Sequence, residues 1–262
     1  MNQRHWTEHL GEMRGRILMV LAAFILSLMI GLFFAEPIIR WTIGDILNGT
    51  LEKTVKLNIF SPGEALSIYM QFAFIVALAF TMPVAFYQAW KFVQPGLTKK
   101  EQKATLSYIP FAMLLFIAGL CFGYYWVFPF LLNFMAVLTE RLGAQETYGM
   151  YEFFRFLFRV VFPIALLFEL PVVILFLTRI RIVTPQLLRK GRRYAWLGMV
   201  VLAALVTPPD LVSNILVSIP LILLYEGSIF LSDRVYRKML AEEEAYEAKW
   251  KEDEEEWGSS FE

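Results

Sequence analysis

The chain reads as an all-α polytopic membrane protein of six transmembrane helices, with both termini cytoplasmic and the fifth and sixth helices short. The residue types AVILMFWYC make up 58% of its 262 residues. They gather into runs at 17–35, 65–90, 104–128, 156–177, 194–206 and 211–231. A helix needs about 20 apolar residues to cross hydrocarbon, where lipid offers backbone N–H and C=O groups no partner. The cations alternate as strongly as the runs do. Lys and Arg number 3 in 1–16, 4 in 91–103, 6 in 179–193 and 5 after Ser232, against 6 in the rest of the chain. The positive-inside rule then puts both termini on the cytoplasmic side and demands an even number of spans. Residues 1–231 form the membrane domain and 232–262 a cytoplasmic tail.

Before the first run, Trp6, Leu10, Met13 and Ile17 recur at helical spacing, which predicts a helix lying in the membrane interface. Glu8 and Glu12 repel at i,i+4, while Glu12 and Arg16 attract. Glu12 is therefore either one half of a local ion pair or spare carboxylate capacity in a basic neighbourhood. No cleavable leader is expected, because the first run is long enough to span.

Three segments read as helix starts. In Ser61-Pro62-Gly63-Glu64, Ser61 is the expected N-cap, Pro62 the first helical residue, and Glu64 the carboxylate that answers the cap. Thr98-Lys99-Lys100-Glu101 has that spacing before the third run, and Thr207-Pro208-Pro209-Asp210 before the sixth. Capping alone accounts for all three. Gly119 and Gly123 form a GxxxG spacing that favours ordinary close packing over a dimer seam.

Glu169 lies deep in the fourth run, where an ionised carboxylate facing lipid costs on the order of several kcal/mol. Pro163 and Pro171 flank it and are expected to bend the helix into a polar concavity. Glu226 in the sixth run is a similar residue nearer the cytoplasmic end. The fifth run, 13 residues, covers only about 20 Å of a hydrocarbon layer about 30 Å thick, so it and the sixth predict a shallow hairpin. The tail, with 10 acids and 2 bases in 241–262, predicts a solvated helical extension.

Catalysis finds no support: His5 and His9 sit together before the first run, Cys121 is the single cysteine, and HExxH and GxSxG are missing. Nothing points to a cofactor, a metal or nucleic acid. A proton-coupled carrier of a small solute using Glu169 is the alternative, although the sequence shows no inverted repeat.

Five segments in register, His9-Leu10-Gly11-Glu12-Met13-Arg14-Gly15-Arg16, Ser61-Pro62-Gly63-Glu64, Phe92-Val93-Gln94-Pro95-Gly96-Leu97 with Glu101, Phe168-Glu169-Leu170-Pro171 and Thr207-Pro208-Pro209-Asp210, together resemble the TatC family. That resemblance implies a concave bundle in the prokaryotic cytoplasmic membrane, the receptor subunit of the twin-arginine translocase. It implies recognition of Arg-Arg signal peptides on folded cargo at the cytoplasmic face, and transport driven by the protonmotive force. Its implied partners are TatA-like and TatB-like single-span proteins in an oligomeric assembly. By the same resemblance Glu12, Arg14, Phe92, Leu97 and Glu101 form the signal-binding site. Glu169 and Glu226 are its intramembrane polar residues, and Ser61, Pro62, Glu64, Pro95 and Asp210 its structural loop positions.

Overall fold

The computed structural model describes the backbone of residues 3–49, 57–94, 102, 106–143, 147–207 and 210–259; side chains are described for these except 3–10, 12, 47–49, 247, 249 and 251–259. The helices are α1 Gln3–Gly49, α2 Pro62–Val93, α3 Tyr108–Phe122, α4 Phe128–Arg141, α5 Met150–Leu167, α6 Leu170–Arg179, α7 Pro185–Val206 and α8 Leu211–Ser259. Five stretches among the described residues are long and apolar enough to cross a membrane: Met13–Ile46, Pro62–Val93, Tyr108–Arg141, Met150–Arg179 and Leu211–Tyr246. The fifth sequence run lies within α7, whose 22 residues would cover about 33 Å. Its first turns carry Arg189, Lys190, Arg192 and Arg193. Only the apolar part of α7 is short, and α8 runs unbroken for 49 residues through the predicted tail boundary.

The N-terminal segment differs from expectation. Instead of a separate interfacial helix, it forms the first turns of α1, a single 47-residue helix. Its far end, past the first apolar run, is held by Arg40 Nε and Nη2 donating to Glu36, by a Tyr124 hydroxyl donating to Asp45 at 2.9 Å, and by Trp41 stacking on Tyr124. Beyond α1, Leu57–Asn58 (β1) pairs in parallel with Tyr148–Gly149 (β2), Leu57 opposite Tyr148. This pair ties the connectors leading into α2 and α5, so both helices start at one level on the face opposite the start of α1. We call these the far face and the near face.

Proline explains the interruptions. Pro129 cannot donate to the carbonyl four residues back, and the chain there widens into a π turn, Gly123–Val127, that joins α3 to α4. Pro171 likewise cannot donate to Leu167, and the fourth span breaks at Phe168 and Glu169 into α5 and α6. Pro163 stays inside α5 without a break, so only one of the two expected prolines interrupts the helix.

The caps correct two sequence expectations. Ser61 has extended cap geometry, but its hydroxyl makes no capping bond, and the Glu64 carboxylate accepts from Phe60 N at 3.1 Å rather than from Ser61. Pro62 opens α2 as expected. Thr207 does not begin the last helix. It ends α7, donating its N–H and hydroxyl to Ala203 O, while Asp210 alone caps α8 by accepting from Ser213 N at 2.7 Å. Missed in the sequence is Thr184, whose hydroxyl accepts from Leu187 N ahead of Pro185.

Packing forms two continuous cores. One, with Ile68, Phe72, Leu132, Phe154 and Val161, joins α1, α2, α4 and α5; the other, with Leu131, Ile164, Ala203, Val217 and Leu221, joins α4 to α8. Two glycines let backbones touch. A Cβ on Gly31 of α1 would lie 2.4 Å from Ala73 O of α2, and one on Gly119 would lie 2.7 Å from Ala165 Cα. With Gly123 against Val161, the GxxxG spacing is thus a seam within the chain, between the third and fourth spans. Gly119→Val is expected to lower stability by about 1–3 kcal/mol through overpacking. Gly191→Ala, a helical position with open space around it, should raise stability by up to about 1 kcal/mol. Thermal unfolding in detergent measures both.

Candidate functional site

At the near face, α1 and α2 lock together. Arg16 donates to Gln88 O at 3.3 Å and lays its guanidinium 5.7 Å from the Phe92 ring centroid. The next contacts bridge the connector after α2. Trp90 Nε1 donates to Gln102 O at 3.2 Å, and Gln102 Nε2 donates back to Gln94 O at 3.2 Å. The last turns of α2 therefore hold both the base of α1 and the residue that follows Glu101. Arg14 is exposed beside them. The Glu12 side chain, Pro95, Leu97 and Glu101 lie outside the described residues. Between α1 and α2 an apolar groove of about 560 Å³ runs inward from Met13 and Phe92 past Ile17 and Leu21 to Phe24 and Leu78. Sequence reasoning missed Gln88 and Gln102, polar residues without charge that stand in no motif, and gave Gln94 no role although it lies within the Phe92 to Leu97 segment.

Glu169 occupies the break between α5 and α6. It is only 4% exposed, and neither carboxylate oxygen has a hydrogen-bond partner among the described residues. Its backbone is satisfied, the N–H donating to Leu166 O and the carbonyl accepting from Val173 N, both at 3.1 Å. The side chain alone is left waiting for a donor. A buried acceptor in that condition costs roughly 1–3 kcal/mol, more when charged.

Glu226 is different. Its carboxylate accepts from Arg192 Nη2 at 2.7 Å and from Trp196 Nε1 at 3.0 Å, a two-point bridge from α8 to α7. Arg192 and Trp196 stand four apart on one face of α7, a signal the sequence did carry. Below this bridge Asp233 pairs with Arg189 at 3.3 Å, Glu243 pairs with Arg181, and Tyr225 donates to Leu188 O. Buried between α6 and α8, the Thr178 and Ser232 hydroxyls share a hydrogen bond of 2.7 Å. Acids of α8 thus line up with bases of the segment between the fourth and fifth spans.

A profile of the Sec-independent protein translocase protein (TatC) family matches residues 8–220, most of the chain. The chain belongs to the TatC family. It is 46% identical over 239 residues to the Sec-independent protein translocase protein TatCy of Bacillus subtilis, covering 91% of this chain and 92% of that relative. To the TatC protein of Halalkalibacterium halodurans it is 43% identical, covering 97% of this chain and all of the relative. The crystal structure of the twin-arginine translocase receptor TatC in DDM superposes with a TM-score of 0.75 at 32% identity, over 86% of this chain and 99% of that one. The TatC resemblance, the helical membrane fold and a component role in protein translocation thus stand together.

Glu169 and Glu226 should respond oppositely to substitution. Glu226→Ala removes two hydrogen bonds and is expected to cost about 1–2 kcal/mol. Glu169→Leu removes an unpartnered acceptor, so stability should be unchanged or higher. Unfolding midpoints of the purified variants test the contrast.

Proposed function

We propose that this TatC-family chain is the receptor subunit of a twin-arginine translocase, binding Arg-Arg signal peptides of folded cargo at its near face, which is the cytoplasmic face. Glu12 and Glu101 are the two carboxylates that receive the two guanidinium groups. Each guanidinium presents a planar fork that a carboxylate meets through parallel hydrogen bonds, which a lysine ammonium cannot reproduce. Leu97 and Phe92 flank the pair with apolar surface for the hydrophobic stretch of the signal, and Arg14 belongs to the same surface.

One observation carries this reading. Arg16, one turn after Glu12, and Gln102, the residue after Glu101, are both held on the closing turns of α2. The apolar groove opens at that same place. In this arrangement both termini are cytoplasmic, the acidic extension 232–262 hangs from α8 into the cytoplasm, and the chain resides in the prokaryotic cytoplasmic membrane. TatA-like and TatB-like single-span partners assemble with it in an oligomer, and the protonmotive force drives export. Glu169, buried without a donor, offers a partner helix a hydrogen bond within the membrane. A solute carrier built on Glu169 finds no support in the family to which the chain belongs.

Glu12→Ala and Glu101→Ala should each reduce binding of an Arg-Arg signal peptide by tenfold or more, on the order of the 1.5–3 kcal/mol assigned to a charged hydrogen bond. Insertion into the membrane should be unaffected. Glu101→Gln separates receptor from cap, since it keeps much of the capping ability and loses the charge. Photocrosslinking from positions 12 and 101 to the signal peptide gives the direct measurement; normal binding by both alanine variants would exclude the site.

A further inference from the structure

On the far face, away from the signal-binding end, α2 and α5 part to leave a second groove of about 500 Å³. Phe74 and Ile75 form one wall, with Phe158 and Phe162 opposite. Two arginines of α5, Arg155 and Arg159, also line it. Arg159 lies inside the apolar run 156–177, three residues or about 5 Å from its outer end. It is exposed and has no hydrogen-bond or ion-pair partner among the described residues. Arg155, one turn nearer the far face, has an ion pair with Glu152 that is long, 3.6 Å, and exposed. A pair of that kind holds a guanidinium weakly.

Two like charges at i,i+4 repel each other, and a guanidinium directed at hydrocarbon is costly. Both penalties vanish if an anion sits between the two groups. We propose that this groove holds an anionic phospholipid of the far leaflet, its phosphodiester gripped by Arg155 and Arg159 and an acyl chain lying along Phe74, Phe158 and Phe162.

The direction of the groove fits that occupant. Because β1 and β2 start α2 and α5 at one level, the two helices run inward together and the groove follows the membrane normal. The arginines stand at its outer end, and Phe162 lies seven residues, about 10 Å, deeper along α5. Both side chains are long enough to reach up to phosphate depth while their stems stay in the apolar layer. Two guanidinium forks suit the two non-bridging oxygens of a phosphodiester. Gln71 lines the groove as well and adds a polar amide to its wall.

Native mass spectrometry of the full chain, released from micelles containing phosphatidylglycerol or phosphatidylcholine, tests the assignment. The unmodified chain should retain phosphatidylglycerol about tenfold better than phosphatidylcholine, whose headgroup has the same phosphodiester but cancels its charge with a quaternary ammonium. The double variant Arg155→Gln with Arg159→Gln should hold the two lipids within about twofold of each other, and the matching double lysine variant should keep part of the preference. Ile75→Trp, which fills the groove and leaves both arginines in place, should lower retention of phosphatidylglycerol; should the glutamine variant fail to fold, this one decides. Added inorganic phosphate should leave the retained lipid in place, because the groove takes the chain as well as the headgroup. Equal retention of both lipids by the unmodified chain overturns the proposal, as does full retention by the groove-filled or glutamine variant. A photoreactive side chain at position 75 that links to a polypeptide in membranes, and not to lipid, also overturns it.

Discussion

Hydrocarbon gives a polar atom no partner, and most of this architecture follows from that single constraint. The long helices satisfy their own backbones, and serine and threonine side chains inside them turn back on the preceding turn. Thr178 reaches Ile174 O, Thr207 reaches Ala203 O, and Ser228 reaches Leu224 O. Where proline removes a donor, the chain answers locally, with a π turn before Pro129 and, before Pro171, a tightening to the three-residue bond from Glu169 N–H to Leu166 O. Among the described residues Glu169 and Arg159 each lack a side-chain partner, on the same span at different depths, and buried polar atoms of Gln71, Thr81 and Ser213 are likewise left without one.

The near face follows a different logic, because water and headgroups reach it. There, charge organises the elements. The acids of α8, at Glu226, Asp233 and Glu243, meet Arg192 and Arg189 of α7 and Arg181 of the connector before it. Exposed pairs contribute little each, but Glu226 also takes the indole of Trp196, so the bridge has direction as well as charge. Bases clustered before and within α7 thereby fix how it leans on α8.

The membrane fold was legible because apolar run length and cation placement report directly on the solvent the chain must cross. Boundaries were less so. Charged residues interrupt the apolar pattern at the far end of α1, where Ile39 and Ile46 still enter the core and Asp45 is held by Tyr124 from a span 79 residues away. The Thr207 to Asp210 segment reads as one cap in sequence because a threonine and a carboxylate three apart fit that pattern; the fold gives the threonine to the helix before and the carboxylate to the helix after. Glu169 was found from burial cost alone, whereas its isolation needed coordinates. The choice of Glu12 and Glu101 came from resemblance, since spacing alone left both as ordinary helix-end acids. Arg155 and Arg159 passed unnoticed because they were counted as charges and never placed on a face.

The unbroken course of α1 has a mechanical result. Gly31 presses its backbone on the Ala73 carbonyl with no side chain between them, so the two helices share a pivot there. Residue 12 stands nineteen positions from that pivot, about 28 Å, and Asp45 fourteen positions in the other direction, about 21 Å. Pro37, between that pivot and Asp45, withdraws one backbone hydrogen bond from the helix, so bending can concentrate there. A displacement of the lower arm would thus be shared between the Gly31 contact and the Pro37 turn before it reached Asp45 and the hydroxyl of Tyr124.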